Sequence, residues 1–396
     1  MSSITLPEYG RDIFSDDGIV HPYEYYREIR KLGRVVRYPM YDCYVLGRYD
    51  DVRRVLRDAE TFISGKGVFL NHQMNAQVDS GIFGIVMSDG PRHDLLRNVE
   101  GVPLGSEAVA KVAENIQGEA NRLIERIMAG ARQIDAMQAI AEYLPVTIVS
   151  ELVGLPEEGR ENMLAWAGAG FQLMGPFNAR AQSSMDAMNG LFDYVLHKVD
   201  QAKVKPGSWS WKVFKAVEEG TITLDVVPGM LMDFIGPSLD TTILGTGSLL
   251  MLLAQHRDQW QALKAEPALI PNAVNEALRM ESPVRGLTRY VAREAEIGGV
   301  KLEAGSRVLV LYGSANRDEH RWEEPERFDI RRPRAASHLA FGFGEHRCLG
   351  ASLARLEMQS ILKAMVARVD SIEVGEPVFL LNNILRGPAS LPMSLN

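Results

Sequence analysis

Phe341-Gly342-Phe343-Gly344-Glu345-His346-Arg347-Cys348-Leu349-Gly350 is the segment from which the rest of the chain can be read. It is a glycine-punctuated loop that delivers a cysteine to the start of a helix. Leu349, Leu353 and Leu356 stand at i, i+4 and i+7 and make one apolar stripe just after the sulfur. A cysteine at a helix N-terminus meets unpaired backbone N–H groups and the positive end of the helix dipole, which favour thiolate over thiol. The glycines let the backbone pass close to a flat group and permit positive φ. Cys43 is the other cysteine of the chain, so neither a zinc cage nor a four-cysteine iron–sulfur site can be built from cysteine. One thiolate donor suits a single axial bond to haem iron. Taken alone, a lone cysteine is more simply a buried structural residue beside a loop, and the surrounding spacing reverses that preference.

Composition narrows the field around this loop. The chain has 396 residues, 46% hydrophobic and 24% charged, enough to bury a large core without disulfides. At about 150 residues per domain, length alone suggests two to three domains. The net charge of −8 argues against a nucleic-acid binder. Met163–Ala179 is interrupted by polar residues, and Thr241–Gln255 is too short to span a bilayer, so no membrane partner is expected. Met1–Pro7 has neither a basic region nor an apolar signal core, which favours the cytoplasm. The eight histidines are scattered, without a close pair of the metalloprotease kind.

Along the chain, Val35–Tyr38 and Cys43–Leu46 predict a short β-hairpin, and Tyr49 to Glu60 a helix carrying Val52, Val55 and Leu56 on one face. Ser106 to Asp200 reads as mostly helical, broken at Pro156 and Pro176. Leu224 to His256 reads as one long apolar helix and Ala268 to Met280 as a shorter one. Glu296–Leu311 has β character, Leu349–Val369 is helical, and Ser371–Asn396 reads as short strands and turns. The expectation is a mainly α fold with small sheets, a single domain over 1–396 without an internal boundary.

The Cys348 segment resembles the haem-binding signature of the cytochrome P450 family, FGxGxHxCxG, at every specified position, and continues into Ala354-Arg355-Leu356-Glu357. Three further motifs precede it in family order: Asp240-Thr241-Thr242, Glu276-Ala277-Leu278-Arg279 and Pro325-Glu326-Arg327-Phe328. The likeness spans nearly the whole chain. It implies a P450-like helical fold with haem b between the long central helix and the Cys-loop helix, Cys348 being the iron ligand. Phe341 and Gly350 would flank the ring. His93, Arg97, Arg289, His338 and His346 match propionate-contacting positions, with Arg92 left in solvent. Glu276, Arg279 and Arg327 are implied to form a buried network beneath the Cys loop, where ion pairs fix geometry more than they add stability. On residue spacing alone, Glu276 and Arg279 would be a surface pair.

The central helix carries the resemblance into chemistry. Pro237 lies deep in an apolar helical run; it removes one N–H and clashes with the carbonyl of Asp233, so the helix should open into a groove able to hold water or dioxygen. Asp240 and Thr241 beside it can form a proton relay, although a threonine bonded to its own helix is the plainer reading. The small pair usual in the family aligns here with Pro237-Ser238. The retained Asp240–Thr241 pair favours an oxygen-activating monooxygenase over a peroxide user.

No GxGxxG unit follows a strand, so electrons are expected from a separate ferredoxin-type carrier with its NAD(P)H-dependent reductase. Arg92, Arg347 and Arg355 are candidate basic contacts for that carrier. Positions matching the family's substrate-recognition regions are Val68, Phe69 and Leu70; Phe171 and Met174; Ile235; Val284, Leu287 and Thr288; and Ile384 and Leu385. Together they imply a compact apolar cavity for a small organic substrate. Ala169-Gly170-Phe171, Gly175-Pro176, Gly313–Asp318 and Leu385-Arg386-Gly387 resemble bacterial members acting on small para-substituted aromatic acids. Lys66 stands where that branch has a basic residue. Asp233 and Gly236 replace polar or basic positions on the helix wall, and a buried aspartate would repel a carboxylate. The expected reaction is hydroxylation or O-dealkylation of a small aromatic or alicyclic molecule by O2. A haem-binding sensor or carrier without turnover is the alternative, and a haem-free helical interaction protein would leave the loop unexplained.

Overall fold

The computed structural model describes residues 6–78 and 83–396, so Met1–Thr5, on which the N-terminal reading partly rests, lie outside the described residues. Seven helices position the site: α1 (Gly90–Gly101), α2 (Ser106–Ala129), α3 (Met163–Met174), α4 (Val227–Ser238), α5 (Asp240–Gln255), α6 (Ile270–Met280) and α7 (Ala351–Arg368). α2 shows why such segments become helices. Val109, Ile116, Ala120, Leu123, Ile124 and Ile127 recur every three or four residues, are buried, and face α7. α5 is buried from Thr242 through Leu253 because other helices surround it, so its sequence is apolar all round. α6 begins with Pro271 in its first turn and stops before Ser282-Pro283, where a proline disfavours helical geometry for its predecessor.

The predicted hairpin forms, with β1 (Val36–Tyr38) and β2 (Cys43–Leu46) paired antiparallel through Val36↔Val45 and Tyr38↔Cys43. It belongs to a five-stranded sheet with β3 (Phe62–Ile63), β4 (Gly286–Val291) and β5 (Arg307–Leu311), ordered β1-β2-β5-β4-β3. β2 runs parallel to β5, whereas β4 pairs antiparallel with β5 from Gly286↔Leu311 to Tyr290↔Arg307. Gly286 is required there, since a Cβ would stand 2.3 Å from the Val310 carbonyl oxygen. Gln133–Asp135 and the C-terminal strands Ile372–Val374 and Pro392–Leu395 make a second, three-stranded sheet.

The run expected as one helix from Leu224 to His256 is divided. α4 ends at Ser238 and α5 starts at Asp240, with Leu239 at φ −106° and ψ −72° between them. Pro237 cannot donate to the Asp233 carbonyl, and the ladder breaks just beyond it. Among the described residues no helix is long and apolar enough to cross a membrane.

Candidate active site

The Cys348 loop is knit by its own backbone. The Cys348 N–H donates to the Phe341 carbonyl at 2.9 Å, Arg347 to Gly344 at 3.2 Å and Gly342 to Leu339 at 2.9 Å. Gly342 and Gly344 take left-handed φ of 68° and 75°, and a Cβ on Gly344 would meet the Leu56 carbonyl oxygen at 2.4 Å. α7 begins three residues after the sulfur, at Ala351. Burial pushes the Cys348 thiol up, outweighing the Gly350 N–H and the Arg97, Arg355 and Arg347 guanidiniums that favour thiolate. The Gly350 N–H and the three guanidiniums act in the direction the sequence leads one to expect, and a metal cation at the sulfur would add to them.

Beneath this loop lies a buried ionic network whose third member differs from the expected one. Glu276 and Arg279 are both fully buried, with Arg279 Nε donating to Glu276 Oε2 at 2.8 Å. Arg332, not Arg327, completes it: Arg332 Nε donates to Glu276 Oε1 at 2.8 Å, and its other nitrogens bond the Glu323, Glu324 and Arg327 carbonyls. The Arg327 side chain is 62% exposed and pairs with Glu324, so this residue joins the network through its carbonyl alone.

His338 is also displaced from its expected role. It is buried, lies outside the cavity lining, and its ring meets Asn275 Oδ1 at 3.3 Å and accepts from the Ala340 N–H at 3.1 Å. Burial, with Arg355, Arg279 and Arg347 nearby, lowers its pKa to about 3, so it is a neutral strut between α6 and the Cys loop. Arg355 is held in the same layer, donating to Asn275 at 2.9 Å with its guanidinium 4.4 Å from the centre of the Phe341 ring.

Above the loop, one cavity gathers most of the predicted residues. Cys348, Phe341 and Gly350 line it together with Arg97, Arg289 and His346. Arg97 is oriented by a 2.8 Å bond to the Arg347 carbonyl, and Arg289 by a 2.9 Å bond to the Thr288 carbonyl. His346 packs against His93 with ring centres 4.5 Å apart and the planes tilted by 59°, and faces Asp89 at 3.4 Å. His93 is 1% exposed and, like His338, lies outside the cavity lining, but its Nε2 is without a hydrogen-bond partner and its ring packs on His346. Arg92 is on the surface, as expected.

Thr241 lines the same cavity, and its hydroxyl donates to the Pro237 carbonyl at 2.9 Å. Ser238 likewise donates to the Phe234 carbonyl. Two carbonyls of the interrupted turn are thus taken by side-chain hydroxyls. Asp240 points away from the cavity toward α3, where a Cβ on Gly168 would sit 3.4 Å from its Oδ2. Burial, with a contribution from Glu142, raises its pKa to about 7.

A family profile of cytochrome P450s matches residues 209–374. Cytochrome P450 CYP199A2 of Rhodopseudomonas palustris is 34% identical over 391 residues, covering 98% of this chain and 95% of that protein. The chain belongs to the cytochrome P450 family. The monooxygenase PikC of Streptomyces venezuelae is 31% identical over 411 residues, 98% of this chain and 94% of that one. Among solved structures, the P450 CREJ in complex with (4-ethylphenyl) dihydrogen phosphate superposes with a TM-score of 0.84 at 26% identity, covering 96% of this chain and 98% of that one. This P450 is a monooxygenase whose cofactor is haem b.

The residues of the P450 fit that group. A cavity-facing sulfur, three cationic or imidazole side chains converging on the same cavity, and the partnerless buried His93 Nε2 are what a planar iron complex with two carboxylates requires. Of the predicted substrate wall, Phe69, Phe171, Met174, Val284 and Leu287 line the cavity, whereas Ile235, Thr288 and Ile384 do not. On β4, side chains alternate: Leu287 and Arg289 face in, and Thr288 faces out, bonding the Phe69 carbonyl at 2.9 Å. Ile235 is turned into the core, and Ile384 is buried where Val284 bridges Leu385. Sequence reasoning missed Trp166, Trp209 and Phe83 in the wall, and above all Glu100. Glu100 stands at i+7 from His93 and i+3 from Arg97, a spacing that placed it on their face of α1.

Proposed function

We propose that this P450, as a single haem domain over 1–396, uses O2 to hydroxylate or O-dealkylate a small aromatic or alicyclic molecule. Electrons come from a separate ferredoxin-type protein with its NAD(P)H-dependent reductase, in the cytoplasm. The observation that carries the reading is that Cys348 and Thr241 open onto one cavity whose remaining wall is largely aromatic and aliphatic. The ethylphenyl compound bound by the CREJ P450 supports a small aromatic guest.

Haem, when bound, supplies reductive activation of dioxygen and transfer of one oxygen atom to a C–H bond. Cys348 would hold the iron through its sulfur, and the Gly350 N–H with Arg97, Arg347 and Arg355 offsets part of the desolvation of the thiolate. Arg97, Arg289, His93 and His346 would hold the propionates. The Thr241 hydroxyl, anchored on the Pro237 carbonyl, positions a proton at the cavity wall. Asp240, with its pKa raised to about 7, is divided between acid and carboxylate near neutrality and can both take up and release a proton. The apolar wall excludes water from the guest and fixes its orientation by shape.

The test is a spectrum followed by turnover. The reduced, carbon monoxide-bound protein should give a strongly red-shifted Soret band, and a panel of small aromatics should shift the oxidised protein toward high spin. With a ferredoxin and reductase added, the compounds that shift the spin state should drive NAD(P)H consumption and appear as hydroxylated or dealkylated product. Spin shifts without any product would refute turnover and leave a haem-binding carrier.

A further inference from the structure

Two carboxyl groups meet in the cavity wall, and the mechanism above uses neither. Glu100 on α1 is 2% exposed, lines the cavity and leaves its Oε1 without a hydrogen-bond partner. Asp233 on α4 lines the cavity too and shares a hydrogen bond with Glu100. Its Oδ2 also accepts from the Ile85 N–H. The neighbouring Gly84 lies so close that a Cβ would stand 1.8 Å from that oxygen. The backbone at 84–85 is therefore laid directly on the acid, which fixes where Asp233 points. Burial raises both groups, Asp233 to about 7 against the lowering effect of the Ile85 N–H and the Glu100 hydrogen bond, and Glu100, which also feels the charge of Asp233, well above the usual carboxylate range.

Such a pair is costly in an apolar wall. Burying an unmatched carboxylate costs several kcal/mol in folded proteins, on the order of the whole net stability of a domain. Among the described residues neither acid forms an ion pair with a lysine, arginine or histidine, and Glu100 feels Arg97 only at a distance. The Lys66 side chain lies outside the cavity lining and is on the surface, while its carbonyl is bonded by Arg307. A guest carboxylate would raise these acids further and hold the pair protonated, whereas an N–H donor carrying positive charge would satisfy Glu100 Oε1 and lower both, so that the pair ionises against it.

We propose that Glu100 and Asp233 form a recognition site for a protonated amine on the substrate. This rests on the small-aromatic monooxygenase reading and names its substrate class: an aryl or alicyclic compound with an apolar end to be oxidised and an ammonium end held at the acid pair.

The experiment compares 4-ethylbenzylamine, 4-ethylbenzyl alcohol and 4-ethylbenzoate, which differ only at the polar end, by calorimetry on the haem-loaded protein with parallel Soret spectra. The amine should bind about tenfold or more tighter than the benzoate, ~1.4 kcal/mol, and shift the Soret band to the blue because its nitrogen stays away from the iron. Glu100→Gln and Asp233→Asn should each weaken the amine about tenfold and leave the alcohol within about twofold. Glu100→Gln decides the matter alone if Asp233→Asn fails to fold, because Glu100 Oε1 holds no protein partner. Benzoate binding as tightly as amine, amine affinity indifferent to the substitutions, or a red shift from nitrogen on iron would each overturn the proposal. Alcohol binding without an amine preference overturns this inference alone; no binding by any of the three overturns the small-aromatic reading as well.

Discussion

Replacing Arg332 with methionine tests the network beneath the Cys348 loop, because sequence motif and structure name different arginines. The substitution removes a 2.8 Å bond to Glu276 Oε1 and bonds of 2.6, 3.1 and 2.7 Å to the Glu323, Glu324 and Arg327 carbonyls. Breaking a buried ion pair from one side costs ~3–5 kcal/mol. The lower end applies, since Glu276 keeps Arg279 on both oxygens and the Asp329 N–H at 3.2 Å. The carbonyls of the exposed Glu323 and Glu324 regain water. The expected loss for Arg332→Met is therefore about 3 kcal/mol. Arg327→Met removes one surface pair with Glu324 and should cost at most about 0.5 kcal/mol. Urea unfolding of the haem-loaded proteins, followed by tryptophan fluorescence and the Soret band, measures both midpoints at unchanged slope. An Arg327→Met protein as destabilised as Arg332→Met would refute the assignment and return the network to the motif arginine.

Cys348→Ser should retain the fold and lose the red-shifted carbon monoxide band, which absorption spectroscopy reads directly; persistence of that band would remove Cys348 as ligand. Thr241→Ala should leave substrate-induced NAD(P)H consumption within about threefold while most of it goes to peroxide or water rather than product, since the lost hydroxyl positions a proton; unchanged coupling removes Thr241 from the mechanism. Glu357 is fully buried with Oε2 partnerless, and desolvation raises its pKa to about 8. The unfolded chain therefore gives up this proton near the ordinary glutamate value of about 4.5 while the folded one keeps it, so stability falls as pH rises from there to about 8. Glu357→Gln should flatten that part of the pH–stability curve and stabilise the protein at pH 8; an unchanged slope would show that Glu357 is ionised in the fold.

What could be read from the sequence divides by how local the cause is. The loop around Cys348 is set by its own glycines and backbone bonds, so ten consecutive residues carry its geometry. Helix faces were legible for the same reason, and Glu100 could have been placed beside Arg97 by counting turns. An acidic side chain on a helix is by default solvated, and only the fold shows that Asp233 of α4 meets it in the cavity wall. Arg327 and Arg332 lie in an arginine-rich irregular stretch that also holds Arg331 and Arg334. Without a period, no rule says which guanidinium turns inward. His338 has the same difficulty in reverse: its place two residues before Ala340 aims it beneath the loop at Asn275, not across the cavity. The run Leu224–His256 is apolar as read and opens at Pro237 as expected, but the opening is a full break at Leu239 and not a groove in one continuous helix, because periodicity does not say how far the backbone departs beyond a proline.

The face of α1 explains how cofactor and guest can be held without competing. His93, Arg97 and Glu100 follow one another at i, i+4 and i+7. Two groups suited to propionates are thus followed by one carboxyl, and Asp233 on α4 doubles the acid at that end. Were the acid pair replaced by apolar residues, the cavity would keep its shape but lose the electrical difference along this helix. A guest with a cationic end would then have no reason to prefer one orientation over its reverse. With the pair present, the reversed guest leaves its charge desolvated in an apolar wall or beside Arg97, a penalty of several kcal/mol in a low-dielectric site. Orientation, and with it the carbon presented on the Thr241 side, is then set by charge at one end of the molecule while the reaction takes place at the other.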